Sequence, residues 1–105
     1  MTGSGAPGGP ADADGIARTA REHPCVVRLD GGPFGVIATP LPGRTVVGVR
    51  AVGSGEPVEV GVVVRPDRPL PELVTEIRDS VRALLGAVPV DITVADVATG
   101  AEDGR

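Results

Sequence analysis

Valine alternates with other residues between positions 57 and 65, and this is the clearest pattern in the chain. Successive side chains of a strand point to opposite faces, so a period of two predicts a β-strand with one apolar face. The apolar face is formed by Val58, Val60, Val62 and Val64. The opposite face is formed by Glu59, Gly61, Val63 and Arg65.

A helical pattern occupies residues 69–85 and predicts an amphipathic helix. Pro71 suits the first turn of a helix, and Gly86 suits the position just after its end. Glutamates lie early and arginines late, which complements the helix dipole. The apolar residues recur at intervals of three and four: Leu70, Leu73, Val74, Ile77, Val81, Leu84 and Leu85.

Two weaker strand patterns precede the valine alternation, at residues 34–39 and 45–52. In the first of them, Phe34, Val36 and Ala38 share one face. Segments rich in proline and glycine, residues 40–44 and 53–56, separate the strands and are typical of turns. Links this short predict an antiparallel meander of three strands.

A short helix is predicted for residues 11–22, with Asp12 or Asp14 as its cap and Pro24 beyond its end. Residues 25–29 are expected to be extended. The last strand covers residues 88–97, and Asp91 and Asp96 lie on its opposite faces if it is regular. Its inward residues are Val90, Ile92 and Val94.

The order α-β-β-β-α-β predicts an α+β fold, a two-layer sandwich with helices on one face of a mixed sheet of four or five strands. Either edge of the meander could accept the last strand. We expect one domain over residues 11–98. Residues 1–10, rich in glycine and proline, and residues 99–105 are expected to be disordered.

Composition and charge narrow the classes of function. The net charge is −4, which argues against a nucleic-acid binder because such proteins usually carry a basic face. Neither a signal peptide nor an apolar run of bilayer length is visible, so we expect a cytoplasmic protein that does not insert into a membrane. A role at a membrane would then require a partner that holds the protein there.

His23 and Cys25 are the only pair of residues that resembles a reactive or metal-binding site. Zinc normally takes four protein ligands, or three and a water, and no other His or Cys is present to complete such a set. A buried, structural cysteine is the simpler interpretation. We therefore expect no enzyme, catalytic residue, metal or cofactor. The alternative is a small ligand- or metal-binding domain that uses His23 and Cys25.

Arg44, Arg50 and Arg65 could gather near one end of the sheet. A cluster of arginines would bind an anionic ligand or a lipid headgroup, and we treat these three as a candidate interaction surface. The simpler interpretation is that they are solvated arginines balancing the fourteen acidic residues of the chain.

Three groups of residues, taken in order along residues 14–97, resemble a known family. The first is Ile16-Ala17-Arg18 with Ala20, followed by Pro24-Cys25-Val26 and Leu29. The second is Phe34-Gly35, Ala38-Thr39, Leu41-Pro42-Gly43-Arg44 and Val47-Gly48-Val49-Arg50. The third is the valine alternation, Pro69-Leu70-Pro71-Glu72 and the last strand. Together they resemble the alkaline shock and general stress family of bacterial envelope stress response proteins, in its actinobacterial form.

This resemblance implies a non-enzymatic cytoplasmic protein with a role in envelope stress and cell-envelope homeostasis. Relatives of this kind lie at the inner face of the membrane through a separate membrane-anchored partner, and they form homo-oligomers. The family has no catalytic residues to carry over to this chain. An exposed sheet edge would suit docking or self-assembly.

Overall fold

The computed structural model describes residues 8–98, which form an α+β fold as predicted. A short 3-10 turn, Pro10–Asp12, leads into helix α1, Ala13–Arg21, and the second helix is α2, Leu70–Leu85. A mixed sheet of four strands packs against both helices, and a two-stranded hairpin stands apart from it. The strands are β1 Val26–Leu29, β2 Ala38–Leu41, β3 Arg44–Val47, β4 Val49–Arg50, β5 Val58–Val64 and β6 Val90–Val97.

The valine-rich strand β5 is the centre of the sheet. Strand β6 pairs with it in parallel over its whole length, from Val58↔Val90 to Val64↔Val97. Because β6 occupies one side of β5 completely, the two antiparallel partners, β1 and β4, share the other side. Strand β4 pairs with the beginning of β5 and β1 with its end, so the two short strands lie end to end.

The core lies between β5 and the two helices. The four valines predicted for the apolar face of β5 are all fully buried, and the same cluster contains the inner residues of α1 and α2. Both helices therefore cover one face of the sheet, as expected. The helical residues of this cluster are Ala13, Ile16, Ala17, Ala20, Leu73, Ile77, Val81 and Leu85.

The other face of β5 is partly covered as well, which the alternation did not predict. Val63 lies on that face and is fully buried. Ile37, in the loop after β1, is also buried, and its Cδ1 lies 3.2 Å from the position of a Cβ built on Gly61. The loop between β1 and β2 thus folds over the side of the sheet that faces away from the helices.

The predicted meander is only partly correct. The first of its strands begins at Ala38 rather than Phe34 and pairs with β3 in the separate hairpin. The second breaks at Gly48, which has φ +95°, so only β4 joins the main sheet. Thr39 joins the hairpin to β4, because its buried hydroxyl donates to Val49 O (2.5 Å) and accepts from Ala51 N (3.0 Å).

Neither candidate cap of the first helix acts as one. Asp12 makes no capping hydrogen bond to the helix, and its Oδ2 instead accepts a bond from the backbone N–H of Gly8 (2.8 Å). Asp14 pairs with Arg44 across the molecule. The described residues include Gly8, Gly9 and Pro10 of the segment expected to be disordered, and residues 1–7 and 99–105 of that expectation lie outside the described range.

An irregularity in β6 changes the predicted position of its acids. The register shifts at Ala95, because Val62 pairs with Val94 while Val63 pairs with Asp96. Asp91 is level with Glu59 and Asp96 with Val63, and both of those residues point away from the helices. The expectation that Asp91 and Asp96 lie on opposite faces is therefore wrong, since the extra residue of a bulge reverses the alternation.

Candidate functional site

His23 lies in the turn between α1 and β1, and both of its ring nitrogens have protein partners. The backbone N–H of Cys25 donates to Nδ1 (3.0 Å), and Nε2 lies 2.8 Å from Glu76 Oε1 on α2. Since Nδ1 accepts a hydrogen bond, the ring proton is on Nε2 and is donated to Glu76. The side chain is nearly buried, with 9% of its surface exposed.

Glu76 is also bound by Arg68, in the segment just before α2. Both terminal nitrogens of the guanidinium donate to the carboxylate, one of them at 2.8 Å. The hydrogen bonds from Arg68, and after them the bond from His23, lower the pKa of Glu76 to about 2. The same pairing raises the pKa of Arg68. The cluster His23–Glu76–Arg68 therefore fastens the α1–β1 turn to helix α2 with a carboxylate that is ionised at neutral pH.

The hydrogen bonds of His23 restrict the chemistry that His23 and Cys25 can perform together. His23 bonds to the backbone of Cys25, and the cysteine side chain is buried within the apolar core. A metal needs an imidazole lone pair, but the lone pair on Nδ1 already accepts a hydrogen bond. Within residues 8–98, no group of three or more His, Cys, Asp or Glu side chains is placed to hold a metal ion.

Sequence reasoning missed the other two members of this cluster. Glu76 is 53 residues from His23, and its position on α2 resembles that of any solvated helix glutamate. Arg68 precedes the helix and has no motif around it. Only the packing of α1 beside α2 brings the three side chains together, so no spacing in the sequence could have identified them.

The three arginines of the predicted interaction surface are not gathered in one place. Arg50 on β4 pairs with Glu59 near the beginning of β5, whereas Arg65 follows the end of that strand. Arg65 donates to Pro24 O and lies 3.8 Å from Asp67. Arg44 forms a two-bond ion pair with Asp14, whose pKa it lowers. Binding by any one of these arginines stays a prediction, but they do not form the single patch that was expected.

An exposed apolar turn is the most conspicuous surface feature in the described part of the chain. Phe34, the only aromatic residue, is 86% exposed, and the neighbouring Val36 is 63% exposed. The turn is held by backbone bonds from Gly35 N to Gly32 O (3.1 Å) and from Ile37 N to Gly31 O (3.1 Å). The prediction that Phe34 belongs to a strand is wrong, because residues 32–35 turn the chain outward instead.

Hydrogen bonds of Asp30 fix the beginning of this turn. Asp30 Oδ1 accepts a hydrogen bond from Gly32 N (2.8 Å), and Asp30 N donates to Gly61 O of the central strand (2.9 Å). Gly32 and Gly35 have φ angles of +82° and +68°, which glycine adopts without a steric penalty. The turn therefore presents Phe34 on a preorganised backbone.

The other surface that lacks a covering element is the outer edge of β6. Among residues 8–98, β5 is the one strand that pairs with β6.

None of the helices within residues 8–98 is long and apolar enough to cross a bilayer. Compared with models of protein families, with curated proteins and with solved structures, the chain matches none of them.

Proposed function

We propose that this chain is a non-catalytic interaction module of the cytoplasm that serves envelope homeostasis and is recruited to the inner face of the cell membrane by a membrane-anchored partner. The observation that carries the interaction role is the apolar turn at Phe34. A small acidic domain with one aromatic residue presents that residue to solvent, although burial would add to a thin core. Exposed aromatic side chains on rigid backbone are typical of binding hot spots.

Two further observations support a role in protein binding rather than a catalytic or metal-binding role. The imidazole of His23 is bound on both nitrogens, and its carboxylate partner Glu76 also holds Arg68. These bonds fasten two elements of the domain together. The envelope-stress role and self-association rest on the sequence resemblance, and recruitment by a partner agrees with the apolar contact that the turn at Phe34 offers.

The test is affinity purification of the tagged full chain from detergent-solubilised native cells, with Phe34→Ala beside the wild type. Phe34 is almost fully exposed, so its truncation should change the free energy of unfolding by no more than about 0.5 kcal/mol. We expect the wild type to recover one membrane-spanning protein, identified by mass spectrometry, and Phe34→Ala to lose at least about tenfold of it, as for a hot-spot residue.

Val47→Ala is the matched control, because Val47 is another exposed apolar residue, at 55%, on the separate hairpin. It should recover the partner as the wild type does, and so should Cys25→Ser if it folds. Recovery of the same membrane protein by Phe34→Ala would contradict the role of the turn. Wild-type protein that recovers only soluble enzymes or a bound metal would contradict the proposed function itself.

A further inference from the structure

At each end of the outer edge of β6, one outward backbone group is already hydrogen-bonded. In the parallel ladder, Val58 N bonds to Pro89 O and Ala98 N to Val64 O, so the residues between them alternate between facing β5 and facing outward. This alternation directs the backbone groups of Val90, Ile92, Val94 and Val97 outward. Arg78 Nε donates to Val90 O (3.2 Å), and Asp96 Oδ1 accepts from Val97 N (2.8 Å).

The N–H and C=O groups of Ile92 and Val94 remain in the middle of this edge. No residue in the described range 8–98 hydrogen-bonds to them. Along the edge these four groups are the N–H and C=O of Ile92, followed by the N–H and C=O of Val94. An added strand of about four residues requires such a series of donors and acceptors. The edge is therefore suited to a short extended segment rather than to a long strand.

The charges beside this segment limit what can occupy it. Asp91 and Asp96 are exposed on the face of the sheet away from the helices, and each makes no ion pair among the described residues. Their partners on β5 are four residues apart, so the two carboxylates are separated by about 13 Å along the strand direction. Glu59 adds a third acid on the same face, next to Asp91.

A second copy of the chain is a poor occupant. Pairing β6 with another β6 would bring Asp91, Asp96 and Glu59 of both copies onto one face, and like charges across strands are destabilising. The arginines with a matching separation are Arg50, level with Glu59, and Arg28, level with Val63. However, Thr39 already occupies the outward groups of Val49 and Ala51 on β4, so that edge is closed.

We infer that the open segment at Ile92 and Val94 binds an extended segment of a partner protein that carries two basic side chains four residues apart, facing Asp91 and Asp96. Backbone hydrogen bonds supply the pairing, and the carboxylates select the sequence and orientation. This inference rests on the proposed interaction role and names the chemistry of one partner segment. It uses a surface distinct from the turn at Phe34.

The test is titration of the isotopically labelled full chain with capped eight-residue peptides, followed by amide NMR. The probe peptide is Thr-Arg-Val-Thr-Val-Arg-Val-Thr, with arginines at its second and sixth positions. One control peptide has glutamate at both positions, and another moves the second arginine to position five, which places the two arginines on opposite faces. We expect the largest amide shifts at Ile92 and Val94, with the first peptide alone.

Two variants separate the backbone contribution from the charges. Val94→Pro removes an outward N–H without removing a bond to β5, and Val94→Ala loses similar packing but keeps the N–H. We expect Val94→Pro to weaken binding more than about tenfold, because it removes a backbone hydrogen bond to the peptide. Val94→Ala only shortens a side chain and should weaken binding less than about threefold. Asp91→Asn with Asp96→Asn should weaken binding about fivefold to tenfold at low salt, as two exposed ion pairs would.

Equal binding of the arginine and glutamate peptides would overturn the inference, as would shifts located away from β6 or undiminished binding by folded Val94→Pro. If Val94→Pro does not fold, the shift map and the aspartate variant decide the question. Failure of all peptides to bind would overturn this edge proposal and leave the Phe34 purification unaffected. Failure of that purification with peptide binding intact would overturn the proposed recruitment and leave the edge.

Discussion

The two sides of β5 differ in how they are closed. On one side, β1 and β4 meet end to end at Gly61, whose N–H donates to Gly48 O and whose C=O accepts from Asp30 N, both at 2.9 Å. On the other side, β6 runs alongside without interruption except for the bulge at Ala95, and its outer edge remains open. On the first side, the backbone around Gly48 and Gly61 is packed too tightly to admit a side chain. On the second side, only the acidic side chains and the bulge of β6 restrict pairing with another strand.

The comparison teaches that one side of β5 is fixed by close backbone packing, whereas the other side keeps an edge strand whose side chains can change more freely. The closed side holds Gly48, Gly61 and the buried Thr39, none of which can change size without a clash or an unpaired polar group. The open side holds exposed acids and a bulge, which are features that prevent edge-to-edge aggregation. Substitutions on the two sides should therefore differ in both size and kind of effect.

The largest effect is expected for Gly61→Ala. A Cβ at this position would lie 2.1 Å from Asp30 O, a backbone atom of the adjoining strand segment, so β1 and β4 could not both remain paired. We expect a loss of about 3 kcal/mol or more in the free energy of unfolding, measured by urea denaturation.

Gly55→Ala is the control for this substitution. Gly55 lies in a turn with φ +78°, and a Cβ there meets nothing within 4 Å. It should cost about 1 kcal/mol, from backbone conformation alone. Equal effects of the two substitutions would show that close packing at Gly61 is not what closes this side.

A smaller loss is expected for Thr39→Val, which retains shape but removes the buried hydroxyl. Val49 O and Ala51 N would both lose their partner in a dry environment. We expect a cost of about 2 kcal/mol, within the range for unsatisfied buried polar groups. Thr45→Val, at an exposed position of the same hairpin, should change stability by less than about 0.5 kcal/mol. The measurement is the melting temperature of each variant. An unchanged melting temperature for Thr39→Val would show that the hairpin does not depend on the hydrogen bonds of the Thr39 hydroxyl.

The cluster His23–Glu76–Arg68, which fastens α2 to the α1–β1 turn, predicts that the stability of the fold depends on pH. The pKa of Glu76 is lowered to about 2 from an ordinary value of 4.5. A lowered pKa in the folded state stabilises above the ordinary value, and the contribution is lost as the pH falls from about 4.5 to about 2. Wild-type melting temperature should therefore fall more steeply across this window than that of Glu76→Gln.

Arg68→Gln should flatten the same pH dependence, because Arg68 is the largest cause of the lowered pKa. Glu72→Gln, one turn earlier on α2, is the matched control and should leave the wild-type slope in place. Parallel curves for the wild type and Glu76→Gln would contradict the assigned role of this carboxylate.

The smallest effect is expected from deleting Ala95. It is the unpaired residue of the bulge, so its removal leaves every other residue pair of β6 in place. We expect a folded protein with a stability change of about 1 kcal/mol or less, since an edge strand tolerates such adjustments. Deleting Thr93 instead places Val94 level with Gly61, on the face away from the helices, and Ala95 level with Val62, so we expect a larger loss of stability. Amide exchange along β6 distinguishes the two deletions.

Periodicity in the sequence predicted those features that depend on which face of an element is apolar. The alternating valines of β5 are buried as expected. On α2, which spans Leu70–Leu85 against the predicted 69–85, four residues of the predicted stripe are buried, whereas Leu84 is 50% exposed. His23 and Cys25 are close together, as their spacing requires. Their surroundings could not be predicted, because Glu76 and Arg68 come from distant segments.

The sequence by itself determined the fold class, the central strand β5, helix α2 and the side of the sheet that the helices cover, because each depends on local spacing of apolar residues. Only the tertiary structure decided that Gly61 is a contact between strands, that Phe34 is exposed and that Asp91 and Asp96 share a face. Edge pairing, loop direction and bulges depend on contacts between residues far apart in the chain, and no local pattern encodes them.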